Sequence, residues 1–450
     1  MRSRYVKYGI VLVLVWLCGP VAPVAAQSSD APPTTPDTLL DGSVLNDIWL
    51  HINARDWEEI HTNYKEGTYY PIDFEWRGIR VRNSGMRVRG RFTRNDRKPS
   101  FRVDFNRYVT GQDFLGLKAL DLNNELQDPS MLHDRLSMLL FRGMGIAAPR
   151  EAHARVFVGA NREFAGVYGV VEEVNKEFLN KNFGEDGGHL YEYHWQENWG
   201  FQDPGPDLRW YGVRFEPKTH DTESLADLYM PVRDLVEAVN DAPQSDLEGK
   251  VDDYLNVNTF VTEIAIQNFL AQTDGLLGDF GMSNFYLYRF AGKHLSQLIP
   301  WDQDLAFGSL DEPPWHNMST NVLAAKIWDE PKYRDAYLKK LIEIADLMGP
   351  AAGSPGVDDP STRRCPAPEG EPPCGWLEQE VFREYVQIRD AAHADPLTPF
   401  SNDEFEHGIA FIEQFARERG NVIRQYVAAL APELLTVASR CTPFSHVTCR

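Results

Sequence analysis

Asn284-Phe285-Tyr286-Leu287-Tyr288, followed by Leu298-Ile299-Pro300-Trp301-Asp302-Gln303-Asp304-Leu305-Ala306-Phe307-Gly308, is the stretch on which the fold turns. Two apolar, aromatic-rich runs joined through Ala291-Gly292-Lys293 read as the strands of a hairpin. Such a hairpin brings Asn284 and Asp302 to neighbouring positions. An apolar strand ending in Pro-Trp-Asp-x-Asp sets hard oxygen donors on one edge, and these are the ligands Mg²⁺ takes beside substrate phosphates. The plainer alternative is a hydrogen-bonded turn that closes the hairpin.

Just upstream stand Thr273-Asp274-Gly275 and Asp279. Asp279 and Asn284 share the Asp-x₄-Asn spacing of a protein-kinase catalytic loop, where the Asp accepts a hydroxyl proton and the Asn binds metal. That spacing alone is weak. Further toward the N-terminus, residues 44–106 alternate with period two in several segments. These are Asp47–Ile52, Ile79–Arg82, Met86–Arg89 and Phe101–Phe105, with Gly78, Gly85 and Gly90 as breaks, and they predict an antiparallel sheet. A helix is expected over 129–145, with Asp128 as N-cap and Pro129 in the first turn. Strands follow at 154–158 and 167–172.

The second half is mostly helical in pattern. Long amphipathic runs cover 251–270, 329–347 and 402–430, and Asp329 is placed to cap the second of them. Residues 351–373 are rich in Pro, Gly, Ser and Asp and read as a surface insertion. A sheet-rich part followed by a helix-rich part predicts an α+β chain of two lobes. The N-terminal lobe is expected over 44–175 and the C-terminal lobe over 176–450, with the insertion at about 349–376.

The 450 residues include 43% hydrophobic and 12% aromatic side chains, enough for a sizeable core. Residues 1–26 have a basic start (Arg2, Arg4, Lys7), a short apolar run and a Val-Ala-Ala end, the pattern of a cleaved signal peptide. Residues 27–43 then form a linker. No later segment is long and apolar enough to span a bilayer, so an exported protein without stable membrane insertion is expected. Loss of the three leader cations takes the formal charge from −21 to about −24. That argues against nucleic acid and anionic membranes as partners. The four cysteines beyond Cys18 fall into the close pairs Cys365/Cys374 and Cys441/Cys449, which read as two disulfide loops.

Two further segments hold candidate chemistry. In Arg87-Val88-Arg89-Gly90-Arg91, then Lys98-Pro99-Ser100-Phe101-Arg102-Val103, a lysine just before a strand can reach phosphate oxygens. The alternative is a solvated edge-strand lysine. In Gly166-Val167-Tyr168-Gly169-Val170-Val171-Glu172-Glu173, an acid ends an apolar strand. Glu172 either orients a lysine or ligand, or simply opens the next helix.

Taken in order and spacing, these segments resemble the CotH kinase family. They are the Arg-Gly with its Lys-x-Ser-Phe-Arg, the 128–145 helix, Gly166-x-Tyr-x₃-Glu172, Asn284-x-Tyr-Leu-Tyr and Ile-Pro-Trp-Asp-x-Asp-x₂-Phe-Gly. The resemblance covers roughly residues 44–308. It implies an atypical protein-kinase-like fold and ATP-dependent phosphorylation of secreted or surface proteins, with Mg²⁺ or Mn²⁺. It also implies roles. Lys98 resembles the nucleotide-phosphate lysine and Glu172 the strand-end acid of that site. Asp302 and Asn284 resemble the metal ligands, with Asp304 as a supporting acid. For the catalytic acid the resemblance points to Asp274, the Asp-x₄-Asn spacing to Asp279. No Gly-x-Gly-x-x-Gly loop follows the first strands, so phosphate positioning falls to Lys98, backbone amides and metal. Two other readings compete. One is an Asp-x-Asp glycosyltransferase, which lacks the preceding βαβ alternation it needs. The other is a non-catalytic coat or surface protein that kept the fold.

Overall fold

The computed structural model describes residues 34–91, 94–348 and 374–436. The expected leader, the linker up to residue 33, and the insertion from 349 to 373 lie outside the described residues. Of the four cysteines expected to pair, Cys374 is described and buried; the pairings themselves lie outside.

The chain is a mixed α+β protein. Seven strands form a closed barrel in the order β1-β2-β3-β4-β5-β7-β6. They are β1 (Asn46–His51), β2 (Tyr70–Trp76), β3 (Ile79–Val88), β4 (Phe101–Asp104), β5 (Ala119–Asn123), β6 (Glu151–Val158) and β7 (Glu163–Glu172). The period-two alternation is visible in burial: Phe101 and Val103 are buried while Arg102 and Asp104 are half-buried. The inward set packs as an apolar cluster in which Phe74 meets Phe105 and Phe114 edge-on at 5.2 and 4.8 Å. The expected antiparallel sheet needs one amendment. β1 pairs antiparallel with β2 but parallel with β6, with Ile48 opposite Val156, and this pair closes the barrel. Closure leaves no open edge for another chain to extend.

A second sheet runs in the order β11-β10-β8-β9, from β8 (His189–Tyr193), β9 (Phe215–Pro217), β10 (Phe285–Arg289) and β11 (Ser296–Pro300). The β10–β11 hairpin is the expected one, with Phe285 opposite Pro300.

The helices are α1 (Pro36–Leu39), α2 (Ala54–Thr62), α3 (His133–Gly143), α4 (Lys176–Phe183), α5 (Leu208–Gly212) and α6 (Leu225–Asp241). They continue with α7 (Leu247–Val251), α8 (Val257–Phe269), α9 (Val322–Asp329), α10 (Pro331–Met348), α11 (Trp376–His393) and α12 (Asn402–Leu430). The limits of α12 agree with its sequence pattern. Three expectations shift. Asp128 does accept amide hydrogens, but from Ser130, Leu132 and His133, in a turn with Met131 at φ 61°, so α3 starts only at His133. Asp329 ends α9 instead of capping α10. The run 251–270 is broken by the turn before the Asn256 N-cap, and α8 is buried on every side from Phe260 to Phe269. A helix buried all round is a core helix, not an amphipathic one.

α10 and α12 pack against that core. From α12, Arg419 is fully buried and donates to the carbonyls of Asn268, Phe269, Leu310 and Glu312. It therefore satisfies the C-terminal end of α8, just ahead of Asp274. Arg419→Ala leaves two buried and two half-buried acceptors unpaired, and a loss of about 3 kcal/mol is expected from the shift in urea midpoint. Among the described residues no helix is long and apolar enough to cross a membrane.

Candidate active site

The loop after α8 is held by side chains of its own flanks. Gln267 Oε1 accepts from Leu276 N at 2.7 Å, and Gln272 Oε1 accepts from Asp274 N at 3.0 Å. Gly275 sits so close to Gln267 that an added Cβ would lie 2.6 Å from Oε1 and would push that amide off its bond to Leu276 N. This packing presents Asp274. Asn284 Nδ2 donates to Asp274 Oδ2 at 3.0 Å and to its carbonyl at 2.9 Å, and Ser283 Oγ donates to Oδ1.

Asn284 stands in the left-handed region at φ 55°, immediately before β10. Across the hairpin, Trp301 N donates to Asn284 O at 3.1 Å. Asp302 follows, also left-handed at φ 51°. Asn and Asp are the non-glycine residues that adopt this region most readily, and the paired positive φ values turn both side chains at the facing strand ends. The next two residues are locked to the start of α3. Gln303 N donates to Asp134 Oδ1 at 2.8 Å, Gln127 Nε2 donates to Asp304 Oδ2 at 2.7 Å, and His133 Nδ1 lies 2.9 Å from Asp304 O.

The electrostatics are those of a site short of positive charge. Burial, with Asp134, Asp274 and Glu192 adding repulsion, pushes the Asp302 carboxyl up to about 7, against the pull of Arg89. Burial, then Asp302, pushes Asp304 well up. Burial also raises Asp134. Arg89, at the end of β3, faces this group across the barrel wall. Its Nε is 3.3 Å from Asp121 Oδ2 and its guanidinium lies 5.2 Å from the centre of the Trp301 ring. Burial opposes its charge, yet Asp121 and Asp302 hold its pKa above the ordinary value. Clustered buried carboxylates that resist joint ionisation, with hard oxygen donors on a strand edge, fit a divalent cation.

The other sequence candidates fall as follows. Asp279 pairs instead with His316 Nε2 at 2.7 Å and Asn317 Nδ2 at 2.9 Å. Lys98 is not a solvated edge residue. It is fully buried, its Nζ 2.8 Å from Asp395 Oδ2 and 5.0 Å from the Tyr168 ring centre. Glu172 is paired with Arg150, whose Nε donates at 2.8 Å, and among the described residues no lysine pairs with it. The structure thus brings together Asp274, Asn284, Asp302 and Asp304, and pairs Lys98 with Asp395, Glu172 with Arg150, and Asp279 with His316 and Asn317. Sequence reasoning missed Arg89, Asp134 and Gln127 as neighbours of the acids. Arg89 was within reach, because a cation at a strand end beside Gly90 is a visible signal; Asp134 and Gln127 carry none.

At the rim, His194 lies 3.2 Å from Glu216 and near Glu192, whose carboxylate Lys218 also holds at 2.6 Å. Hydrogen bonds to Glu192 and Glu216 push the imidazole up to about 9. A raised imidazole contributes stability that is complete below its unfolded value near 6.5 and is lost as pH rises through about 9. Thermal stability should therefore fall across that window in the wild type and stay flatter in His194→Gln, as read by melting curves at a series of pH values.

Comparison with known proteins adds three findings. The family profile described as CotH kinase protein matches residues 86–422. The inner spore coat protein H of Bacillus subtilis (strain 168) is 28% identical over 394 residues, which is 85% of this chain and 97% of that protein. The crystal structure of a Helicobacter pylori proinflammatory kinase, CtkA, aligns with 70% of this chain and 92% of that one, at 10% identity and a TM-score of 0.28. That last likeness is too slight to bear on function.

Proposed function

Because the chain belongs to the CotH kinase protein family, we propose that it transfers the γ-phosphoryl group of ATP to hydroxyl side chains of secreted or surface proteins. The observation that carries this reading is the assembly of Asp274, Asn284 and Asp302 at one end of the β10–β11 hairpin. In this reading the barrel is the N-terminal lobe, the helical part with the second sheet is the C-terminal lobe, and the nucleotide lies between Arg89 and Asp302. The relative's name ties that protein to a spore coat, and a coat or surface setting is proposed here too.

A magnesium or manganese ion held by Asp302 and Asn284, with Asp304 in support, would supply charge neutralisation at the transferring phosphoryl group. The chain's own residues do the rest. Asp274 accepts the proton of the acceptor hydroxyl as its oxygen bonds to the γ-phosphorus. The bond from that phosphorus to the β–γ bridging oxygen breaks, and ADP leaves. Asn284 keeps Asp274 aimed by donating to its Oδ2. Arg89 is the cation that faces Asp302, and we assign it the phosphate contact that the sequence pattern suggested for Lys98. Transfer of this kind needs positioning and charge more than covalent chemistry, so a glycine-rich loop is dispensable.

The test is incorporation of label from γ-labelled ATP, with Mg²⁺ or Mn²⁺, into the protein itself and into a generic acceptor. Incorporation that disappears in Asp302→Asn is the expected result. No transfer together with no nucleotide binding would overturn the reading and favour a non-catalytic coat or surface protein.

A further inference from the structure

We infer a divalent transition-metal site, Zn²⁺ by its donor set, at His189, His220 and Glu223. It lies at the far end of the β8–β10 strand pair from Asn284 and Asp302. On β10, Tyr286 sits opposite Glu192 near the candidate active site, whereas Arg289 sits opposite His189 at the other end. The site is independent of the kinase reading.

Three observations converge on it. The first is geometry. One donor atom from each of the three residues lies within 4.8 Å of the others. His189 Nε2 is 2.8 Å from Glu223 Oε2, and His220 Nδ1 is 3.0 Å from Glu223 Oε1. Two imidazoles and one carboxylate, with a fourth position left for water, form a zinc donor set.

The second is backbone direction. His220 is held at φ 59° in the turn after β9, and that turn stacks its ring on His189 at 4.3 Å and 18°. Histidine is among the residues that adopt this region most readily, and here the turn fixes the direction of the ring.

The third is proton bookkeeping. Both ring nitrogens of His220 face acceptors: Nε2 lies 3.1 Å from Gly187 O, and Nδ1 faces Glu223 Oε1. A neutral imidazole has one N–H to give. If Nε2–H goes to the Gly187 carbonyl, an orienting bond typical of ligating histidines, then the Nδ1 lone pair faces a carboxylate oxygen. A cation between them resolves the conflict. A second proton on His220 would also resolve it. It would, however, place a cation face to face with His189, which Arg289 already touches through Nη2 at 2.8 Å from Nδ1. When His189 ligates through Nε2, its Nδ1 takes the proton and the Arg289 guanidinium moves off the ring edge.

The neighbouring group Glu192, His194 and Glu216 makes the contrast. There the Lys218 ammonium lies 2.6 Å from Glu192 and 3.2 Å from Glu216 and already supplies the cation. In the His189 group the cation at hand is the Arg289 guanidinium, whose Nη2 lies 2.8 Å from His189 Nδ1 and 3.4 Å from Nε2, so zinc must displace it.

The experiment is zinc titration of the full chain by calorimetry, with metal analysis after dialysis, using Zn²⁺ alone. It is run on the wild type, Asp302→Asn, His220→Asn, Glu223→Gln and Arg289→Ala. Asparagine tolerates the left-handed backbone at 220, and Glu223→Gln, at an exposed turn, is the second variant should His220→Asn fail to fold. One zinc per chain is expected in the wild type and in Asp302→Asn. Affinity should fall at least about tenfold in His220→Asn and Glu223→Gln, and rise in Arg289→Ala. Zinc should also raise the melting temperature of the wild type but not of His220→Asn. Binding that is absent, unchanged in the His220 and Glu223 variants, or lost in Asp302→Asn alone would overturn the site.

Discussion

Asp302→Asn is expected to lower phosphoryl transfer by at least about a thousand-fold while the protein stays folded. The substitution keeps the shape of the side chain and removes its negative charge. Asp302 is half-buried beside Asp134 and Asp274, and its carboxyl is pushed up to about 7. The fold therefore disfavours the charged carboxylate, first by burial and then by repulsion from Asp134, and a bound cation or a proton offsets that cost. Asparagine removes the repulsion, so stability should hold or rise in the absence of metal, while activity is lost. That opposite movement separates a role at the reacting centre from a structural one. The same assay decides the base. Asp274→Asn should cost about a hundred-fold or more, in line with the loss of a general base. Asp279→Asn, whose carboxylate is tied to His316 and Asn317, should stay within about threefold. A large loss in Asp279→Asn with little in Asp274→Asn would reverse the assignment.

The second large effect concerns stability. Lys98 and Asp395 are both fully buried and meet at 2.8 Å. Asp395 also accepts from Val167 N, Leu397 N and Thr398 N, so it joins β7 to the turn after α11. Gly166 makes room for it, since an added Cβ there would lie 2.5 Å from the carboxylate, at a backbone φ of 116°. Lys98→Met strands a buried carboxylate and should cost about 3–5 kcal/mol in nucleotide-free protein. Asp395→Leu should cost as much or more, because three backbone donors lose their acceptor as well. The double replacement Lys98→Met/Asp395→Leu should recover part of that loss, because no lone charge remains inside. Urea unfolding of the four proteins measures this directly. If Lys98→Met left stability unchanged and instead weakened ATP binding, the lysine would have the phosphate role that its sequence context implies.

The legible part of this protein is the part encoded at short range. Alternation with period two marks the strands between Asp47 and Phe105, and apolar periodicity marks α12 to the residue. The two aromatic runs around Ala291-Gly292-Lys293 mark a hairpin whose ends must meet, so the closeness of Asn284 to Asp302 was readable before any coordinates. These signals are local: a strand face or a helix stripe is set by neighbours two to four residues away. The order of a sheet-rich part before a helix-rich part, and hence the α+β class, follows from them.

Only the tertiary structure decided who meets whom at long range. The parallel pairing of β1 with β6, which closes the barrel, joins segments about a hundred residues apart and leaves no trace in either strand's alternation. Lys98 finds its partner 297 residues away, and no local pattern tells a buried ion pair from a solvated lysine. Asp274 and Asp279 stand five positions apart in one loop, the first favoured by the family resemblance and the second by its spacing to Asn284. What separates them is packing, because Gln267, Gln272 and Ser283 turn the loop so that Asp274 meets Asn284 while Asp279 is left to His316 and Asn317. Burial and charge pairing depend on surfaces brought together from across the chain, and those exist only once the core has formed.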